Sequence, residues 1–204
     1  NPILKTKTMH LNGNYSIDSE VGNELYNLFG EYKNVYLYFD GNKTERHIEE
    51  YKKTIDAIDE IVKTIRKHNL SPLEEIMYAY DLVREKVYTR ELDTESDRIS
   101  RDLSSVLFGD KIVCAGYVAI FNSVLKNLGI SVMDYKLIKK ENNKKGHVRS
   151  LVYVKDKKYH VNGVFMFDPT WDSKKCEGDK SYLRSYKFFC KSKDEFRFFD
   201  QEYN

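Results

Sequence analysis

Residues 113–130, which read VCAGYVAIFNSVLKNLGI, decide the fold of this chain. Apolar side chains recur in this stretch every three or four positions, a spacing that predicts an amphipathic helix from about Cys114 to Leu128. The members of this face are Tyr117, Phe121, Val124, Leu125 and Leu128. Gly129 is expected to end the helix, because glycine is favoured at the left-handed position after a last turn. Cys114 would then stand at the first turn.

A cysteine at the start of a helix is placed for chemistry. The unpaired N–H groups and the helix dipole stabilise a thiolate there, and the thiolate is the nucleophilic form. Ala115-Gly116 keeps the surroundings small enough for a substrate carbonyl, and the backbone N–H of Cys114 is a candidate oxyanion donor. A buried core cysteine is the commoner role of a lone thiol, and this stretch alone leaves that alternative open.

Two longer helices are predicted upstream. Between His47 and Lys67 an apolar residue recurs at helical spacing, which is typical of a packing face. Ser71-Pro72-Leu73-Glu74 is expected to open the second helix, with Ser71 as N-cap, Pro72 in the first position and Glu74 completing a capping box. A short strand over 35–39, closed by a turn at 40–42, and a short helix near 99–107 complete this half of the chain.

Downstream of the Cys114 helix the pattern changes to strands. His147 to Val154 and Tyr159 to Asp168 predict a hairpin with its turn at 156–158, and the aromatic-rich stretch 183–199 is expected to supply a last strand. Helices followed by an antiparallel sheet indicate an α+β fold. A charged loop is expected at 139–146.

The hairpin register predicts a partner for Cys114. With the turn at 156–158, Val154 faces Tyr159 and His147 faces Met166, so Asp168 is a diagonal neighbour of His147 on the same face. A carboxylate there could orient the imidazole, as in a nucleophile–His–Asp triad. A bulge at Gly163 would shift this register by one residue.

His160 is the competing base. It lies eight residues from Asp168 on the same predicted strand, roughly 26 Å away, so a structural or solvent-facing role is favoured for it.

Composition narrows the function classes. The chain has 204 residues, 41% of them hydrophobic, and 34 Lys plus Arg against 32 Asp plus Glu. This balance points to neither nucleic acid nor an anionic membrane as partner. No apolar run approaches the length of a membrane span, and no metal-ligand spacing appears, so neither a metal nor a cofactor is expected.

Cysteine number and chain start add two expectations. Three cysteines exclude a complete disulfide framework, although Cys176 and Cys190 could pair. The chain begins Asn1-Pro2 without an initiator Met, which favours a trimmed or mature form and a secreted or cell-surface location.

Two segments resemble the transglutaminase-like superfamily of cysteine enzymes. Val113-Cys114-Ala115-Gly116-Tyr117, continuing to Leu128-Gly129-Ile130, is similar to the family's nucleophile helix. Gly146-His147, followed by the motif D-P-T-W-D at 168–172, is similar to its histidine strand and acid motif. The resemblance spans about 71–190.

The resemblance implies a papain-like core, in which a helical lobe with the nucleophile at a helix N-terminus packs on an antiparallel sheet. It implies Cys114 as nucleophile, His147 as general base and Asp168 as orienting acid. It also implies a catalytic domain at 71–204. Residues 1–70, which carry no such resemblance, are expected to form an N-terminal extension, with the short strand and the first amphipathic helix, that packs on this domain.

Supporting roles follow from the same resemblance. Gly116, Tyr117 and Trp171 would support the site, with Trp171 packed against its floor. Papain's oxyanion glutamine has no counterpart, since Gln201 is the chain's only Gln. Tyr88 is the candidate second oxyanion donor, although a core tyrosine at a helix end is an equal alternative.

Further departures concern the histidine strand and the second aspartate of the motif. Val148-Arg149-Ser150 follows His147 where the family often carries an aromatic residue, so an aromatic groove wall could be missing. Asp172 is expected to cap the turn after Pro169.

The predicted function is acyl transfer on a protein or peptide amide through a thioester. Water as acceptor makes the chain a cysteine peptidase or amidase, which is favoured, and an amine makes it a protein-glutamine transglutaminase. A third alternative is an inactive binding or assembly module on the same fold. Substrate identity and oligomeric state are not indicated.

Overall fold

The computed structural model describes residues 7–10, 32–36, 45–89, 101, 103–137 and 146–197, with the backbone alone at 7–10, 32–36 and 45–51. In chain order the elements are strands β1 (Lys7–His10) and β2 (Tyr32–Tyr36), helices α1 (Glu45–Lys67), α2 (Pro72–Arg84), α3 (Leu103–Phe108) and α4 (Cys114–Leu128), strands β3 (Val132–Leu137), β4 (His147–Asp156) and β5 (Val161–Phe167), a 3-10 helix (Ser181–Arg184), and helix α5 (Lys193–Arg197). Helices and an antiparallel sheet are combined, as an α+β fold requires. Across these described elements, no helix has the length and apolar character that crossing a membrane requires.

Helix α4 is the central element of the core. It contacts α1, α2, α3 and β4, and its middle turns are buried. Gly129 adopts φ 84° directly after the last turn, and the Ile130 N–H donates to the Leu125 carbonyl at 2.9 Å. This bond spans five residues along the chain and is the characteristic bond of a Schellman motif, the glycine-containing ending of a helix. The predicted helix from Cys114 to Leu128 is therefore confirmed at both ends.

The predicted helix at 47–67 forms as α1 and faces the same core. Ile55, Ile58, Val62 and Ile65 are buried together with the apolar face of α4. Each such side chain contributes about 1.5–3 kcal/mol when it is removed from water. The apolar stripe of α1 is therefore a packing face in this fold.

Helix α2 begins as predicted, with Pro72 in its first position. The Glu74 carboxylate accepts the Ser71 N–H at 2.8 Å, which is the return arm of a capping box. The Ser71 hydroxyl donates to Asp156 at 2.6 Å, at the far end of β4. The start of α2 is thus fixed both by its own first turn and by the sheet.

The three-stranded antiparallel sheet has the order β3-β4-β5, so β4 is central. The predicted hairpin forms, but its register is wrong by four residues. Strand β5 pairs with β4 as Ser150–Phe167, Leu151–Met166, Val152–Phe165, Tyr153–Val164, Val154–Gly163, Lys155–Asn162 and Asp156–Val161. Val154 therefore faces Gly163 instead of Tyr159, and Met166 faces Leu151 instead of His147.

A wider turn explains the difference. The connection occupies residues 157–160, and the Asp156 carboxylate accepts the backbone N–H groups of Lys158 and Tyr159 at 2.8 and 3.3 Å. These side-chain to backbone hydrogen bonds stabilise a turn of four residues, which is longer than the predicted turn. Because the displacement is an even number of residues, every side chain keeps its predicted face. Gly163 pairs regularly, so the predicted bulge is absent from this strand pair.

Four other elements differ between the structure and the expectation from sequence. The stretch 183–199 was expected to form a strand, but it gives a 3-10 turn, one bridge between Met166 and Lys191, and α5. Strand β3 had not been predicted. The upstream strand lies at 32–36 and pairs in parallel with β1, and the short helix lies at 103–108. The predicted turn at 40–42 and most of the loop at 139–146 lie outside the described residues.

Candidate active site

Cys114 is the first residue of α4, and its half-buried thiol follows an extended Val113 at the N-cap. The entry into the helix is fixed by backbone bonds two residues earlier. The Thr89 N–H donates to the Ile112 carbonyl at 2.9 Å, and the Ile112 N–H donates to Thr89 Oγ1 at 3.1 Å. The chain therefore turns into the helix at a defined point, with the thiol at the positive end of the helix dipole.

The thiol meets the start of the sheet. Its side chain is hydrogen-bonded to His147, the first residue of β4, and it accepts the backbone N–H of Val148. Burial raises the pKa of Cys114, but these bonds, the charge of His147 and the more distant charge of Arg101 outweigh burial and lower the pKa. The environment favours a thiolate.

His147 joins the thiol to a carboxylate. The ring is buried, and Nε2 lies 2.6 Å from Asp168 Oδ2. Since Nε2 is directed to Asp168, Nδ1 is the ring nitrogen left to face Cys114. Burial lowers the pKa of His147, but the charge and hydrogen bond of Asp168, followed by those of Cys114, outweigh burial and raise the pKa to about 9. The favoured state pairs an imidazolium with the thiolate.

Asp168 follows the last residue of β5 and is fully buried. Its Oδ1 accepts the Trp171 N–H at 3.3 Å, and its own N–H donates to the Phe188 carbonyl at 3.0 Å. The diagonal placement beside His147 holds in the shifted register, since the displacement preserves faces. The structure thus brings together the three side chains singled out in the sequence.

Trp171 stacks on the imidazole. The two ring centroids are 4.9 Å apart with an interplanar angle of 8°, and Phe188 meets the indole edge-on at 4.8 Å. The stack restricts rotation of His147 about its side-chain bonds. Trp171 therefore supplies an aromatic surface beside the histidine, where the sequence following His147 had indicated none.

Arg149 is a site residue that sequence reasoning missed. It is fully buried, and its Nε lies 3.7 Å from Asp168 Oδ2, the oxygen that binds His147. Its guanidinium lies 4.2 Å from the Phe196 ring centroid and 5.2 Å from that of Trp171. The available signal was the alternation of β4, which puts Arg149 on the same face as His147.

The other predicted supporting residues lie below or beside the thiol. Gly116 is buried in the first turn, and its N–H donates to the Val113 carbonyl at 2.8 Å. The buried Tyr117 hydroxyl donates to the Lys86 carbonyl at 2.6 Å, and burial raises its pKa. Tyr117 thereby ties α4 to the end of α2.

Tyr88 does not end a helix, because α2 stops at Arg84. It lies in an extended segment that bridges Ile112, two residues before the nucleophile position. Its side chain is half-buried and packs against the core. Its role as an oxyanion donor stays a prediction.

Asp172 corrects one expectation. The turn after Pro169 is capped by Asp168, which accepts the Trp171 N–H. Asp172 instead lies 2.7 Å from the Tyr80 hydroxyl, and it accepts the Phe188 N–H at 2.9 Å and the Ser185 hydroxyl at 3.1 Å. Asp172 therefore joins α2 to the segment at 185–188.

The remaining candidates lie elsewhere. His160 occupies the hairpin turn with φ 55°, at the opposite end of β5 from Asp168. Cys176 is exposed and Cys190 is half-buried, and both are free thiols, so the possible disulfide is not formed. Burial, followed by the charge of Glu195, raises the pKa of Cys190 to about 11.

Within the described ranges, no three His, Cys, Asp or Glu side chains cluster as a metal site would require.

Comparison with known proteins finds a distant likeness of fold among solved structures. No family model and no curated protein matches the chain. Among solved structures, the chain is similar to a "Crystal structure of a TGase", with 15% identity and a TM-score of 0.45. The match covers 74% of this chain and 37% of that chain, so the chain spans little more than a third of its length.

Proposed function

We propose that this chain is a cysteine enzyme that cleaves or transfers protein or peptide amides through a thioester on Cys114. The observation that carries the proposal is the hydrogen-bonded series from the Cys114 thiol through His147 to Asp168. A thiol with a lowered pKa at a helix start, next to an oriented imidazole, is the arrangement that nucleophilic catalysis requires.

The chemistry follows from this series. The thiolate attacks the amide carbonyl carbon, and the carbonyl π electrons move to its oxygen. When the tetrahedral intermediate collapses, the C–N bond breaks, His147 gives its proton to the leaving amine, and a thioester remains. The neutral imidazole then takes a proton from the incoming water, whose oxygen replaces sulfur at the carbonyl carbon.

Oxyanion stabilisation is assigned to the start of α4. The N–H of Cys114 belongs to a first helical turn, where backbone donors have no partner within the helix. Two donors close to the developing negative charge are the usual requirement, and Tyr88 is the proposed second. Asp168 keeps its negative charge and orients the ring.

The proposal includes a transglutaminase-like, papain-like core within 71–204. Its basis is the position of the nucleophile on a helix and of base and acid on an antiparallel sheet. Water is the simplest acceptor because it requires no further binding site, so hydrolysis is the preferred form.

The test incubates the chain and its Cys114→Ala variant with a protein mixture, with and without a primary amine, and follows the products by mass spectrometry. New termini or deamidated glutamines that depend on Cys114 support hydrolysis, and incorporated amine supports transamidation. A Cys114 that resists iodoacetamide at neutral pH, with no product in either mixture, would identify an inactive module instead.

A further inference from the structure

Arg149 is a buried charge with no exposure to solvent. Burying an isolated cation is strongly unfavourable, so such a group is retained only where charges and polar contacts compensate it. The compensating contacts include Asp168, 3.7 Å from Nε, two aromatic faces and the Met166 sulfur, which lies 4.0 Å from Nη1. The guanidinium is therefore part of the same buried group as His147.

The four side chains alternate in charge. Cys114 as thiolate, His147 as imidazolium, Asp168 as carboxylate and Arg149 as guanidinium form a series that sums to zero. Removing Arg149 leaves the first three with one net negative charge in a buried site. A buried site that carries an unbalanced charge takes up protons to reduce it.

We propose that Arg149 is a positioning residue of this site, which acts by its charge through the Asp168 carboxylate and makes the His147 imidazolium a better proton donor. This inference rests on the proposed function. Arg149 Nε lies 3.7 Å from the carboxylate oxygen that binds His147, beyond hydrogen-bond distance but close enough for the two charges to attract. The positive charge of Arg149 therefore offsets part of the attraction between that oxygen and the imidazolium. A general acid that must release a proton to a leaving amine benefits from that weaker attraction.

Other charged or titratable groups face this site from the elements around it. Cys114 approaches from α4, Tyr80 contacts the Asp168 carbonyl at 2.9 Å from α2, and Asp172 lies behind Tyr80 in the turn. The charge of Arg101, an exposed residue, also acts on the thiol. Arg149 is distinguished from these by its ion pair with the oxygen that binds the imidazole.

The experiment follows the His147 ring by NMR across pH in the wild type, Arg149→Met and Arg149→Lys, and measures Cys114 alkylation across pH in the same proteins. Loss of a cation favours protonation at every neighbouring site. In Arg149→Met the His147 midpoint should therefore rise by about 1 unit, and the alkylation midpoint should also rise. Arg149→Lys should return both midpoints toward the wild type, because the charge is restored.

The matched control is Arg84→Met. Arg84 is equally buried and also lies on aromatic rings, but its Nε is paired with Asp81 at 2.7 Å. This variant should leave the His147 midpoint in place. Unmoved midpoints in a folded Arg149→Met, or equal shifts in the Met and Lys variants, would overturn the proposal.

A measurement on the wild type decides the case if Arg149→Met does not fold. The Nε–H resonance of Arg149 should shift with the same midpoint as the His147 ring, because Nε lies 3.7 Å from the carboxylate oxygen that binds that ring. A resonance that stays constant through that midpoint would contradict the proposal. Neither readout needs a substrate: an inert wild-type Cys114 would remove the proposed function while the titration still decides the role of Arg149.

Discussion

The two ends of the β4–β5 hairpin use the same device for different purposes. At the open end, Asp168 binds His147 and the first residue of β4 meets the helix that carries Cys114. At the turn end, Asp156 accepts the Ser71 hydroxyl at 2.6 Å and the Leu73 N–H at 2.8 Å, both at the start of α2. Each end therefore joins the sheet to the beginning of a helix with the help of one carboxylate, directly through Asp156 at the turn end and by way of His147 at the open end.

The difference lies in what the carboxylate binds. Asp156 takes its hydrogen bonds from a hydroxyl and backbone N–H groups, which hold their protons at every ordinary pH. Asp168 binds the His147 imidazole as well as the Trp171 N–H, and the imidazole can release its proton, with its pKa raised to about 9. The same type of side chain thus binds groups that keep their protons at one end and a titratable ring at the other.

The largest expected effect removes the nucleophile at the open end. Cys114→Ala should lower turnover by at least about 10⁴-fold, because no other group forms the thioester. The matched control is Cys176→Ala, which removes an exposed thiol and should leave turnover unchanged. Product formation measured by mass spectrometry in both variants separates them, and substantial turnover by Cys114→Ala would contradict the mechanism.

The second effect compares two aspartates four residues apart. Asp168→Asn should lower turnover by up to about 10⁴-fold, since the ring loses its orienting charge. Asp172→Asn should instead reduce the free energy of unfolding by about 1–3 kcal/mol, because a buried acceptor of several bonds is replaced by a group that also donates. Turnover per folded molecule, together with urea unfolding, distinguishes the two. Equal losses of turnover would show that Asp172 also acts at the site.

The third effect concerns pH and the free energy of unfolding. The pKa of His147 is about 9 in the folded chain and about 6.5 when unfolded. The resulting stabilisation is complete below about pH 6.5 and is lost as pH rises through about 9. The lowered pKa of Cys114 has the opposite sign, since its stabilisation appears as pH rises toward about 8.5.

The folded ion pair and the unfolded thiol with neutral imidazole each carry one proton in that window. The wild type should therefore show a nearly constant free energy of unfolding between about pH 6.5 and 8.5. Cys114→Ala removes the compensating thiolate, so its free energy should fall by about 1–2 kcal/mol from pH 6.5 to 9. Urea unfolding across pH measures both, and identical slopes would exclude the ion pair.

The smallest effect belongs to the turn end. The Glu74 carboxylate accepts Lys158 Nζ at 2.6 Å and the Tyr159 hydroxyl at 2.8 Å, and the Lys158 bond is the main cause that lowers its pKa to about 2. The charged Glu74 carboxylate therefore stabilises the folded chain above about pH 4.5, and this contribution to the free energy of unfolding is lost as pH falls toward 2.

Glu74→Gln should lower the thermal midpoint slightly at pH 7 and leave it unchanged near pH 2. Glu85→Gln, at the opposite end of α2, is the control and should not lower the midpoint, because a negative charge is unfavourable at a helix C-terminus. Differential scanning calorimetry at both pH values measures the difference. A loss at pH 2 equal to that at pH 7 would show that the Glu74 charge is not its cause.

The sequence predicted what depends on periodicity. The bounds of α4 followed from apolar spacing and Gly129, and the faces of β4 and β5 followed from alternation. Because faces repeat every second residue, the proximity of His147 and Asp168 was predicted correctly from a wrong register. The register itself depends on the Asp156 turn, which is a side-chain contact that no periodicity reveals.

The C-terminal stretch was misassigned because aromatic content favours strands only where the chain is extended. In this stretch Phe189 packs onto Tyr80 and Phe167, and Phe188 packs onto Trp171. Ser192 and Glu195 form a reciprocal capping pair, with the Ser192 N–H 2.7 Å from the Glu195 carboxylate. That pair was visible in the sequence as a helix start. Arg149 was missed because a charged residue on a strand is ordinarily assigned to solvent.

The stack of Trp171 on His147 gives the molecule a built-in optical reporter. Trp171 is the only tryptophan among the 204 residues, so all indole emission comes from one ring lying 4.9 Å from the imidazole. A protonated imidazole quenches an excited indole by accepting an electron, whereas the neutral ring quenches it far less. Emission intensity is therefore expected to follow the proton on His147 without a label, and a stopped-flow trace of that emission would time the protonation changes of this residue during the proposed reaction.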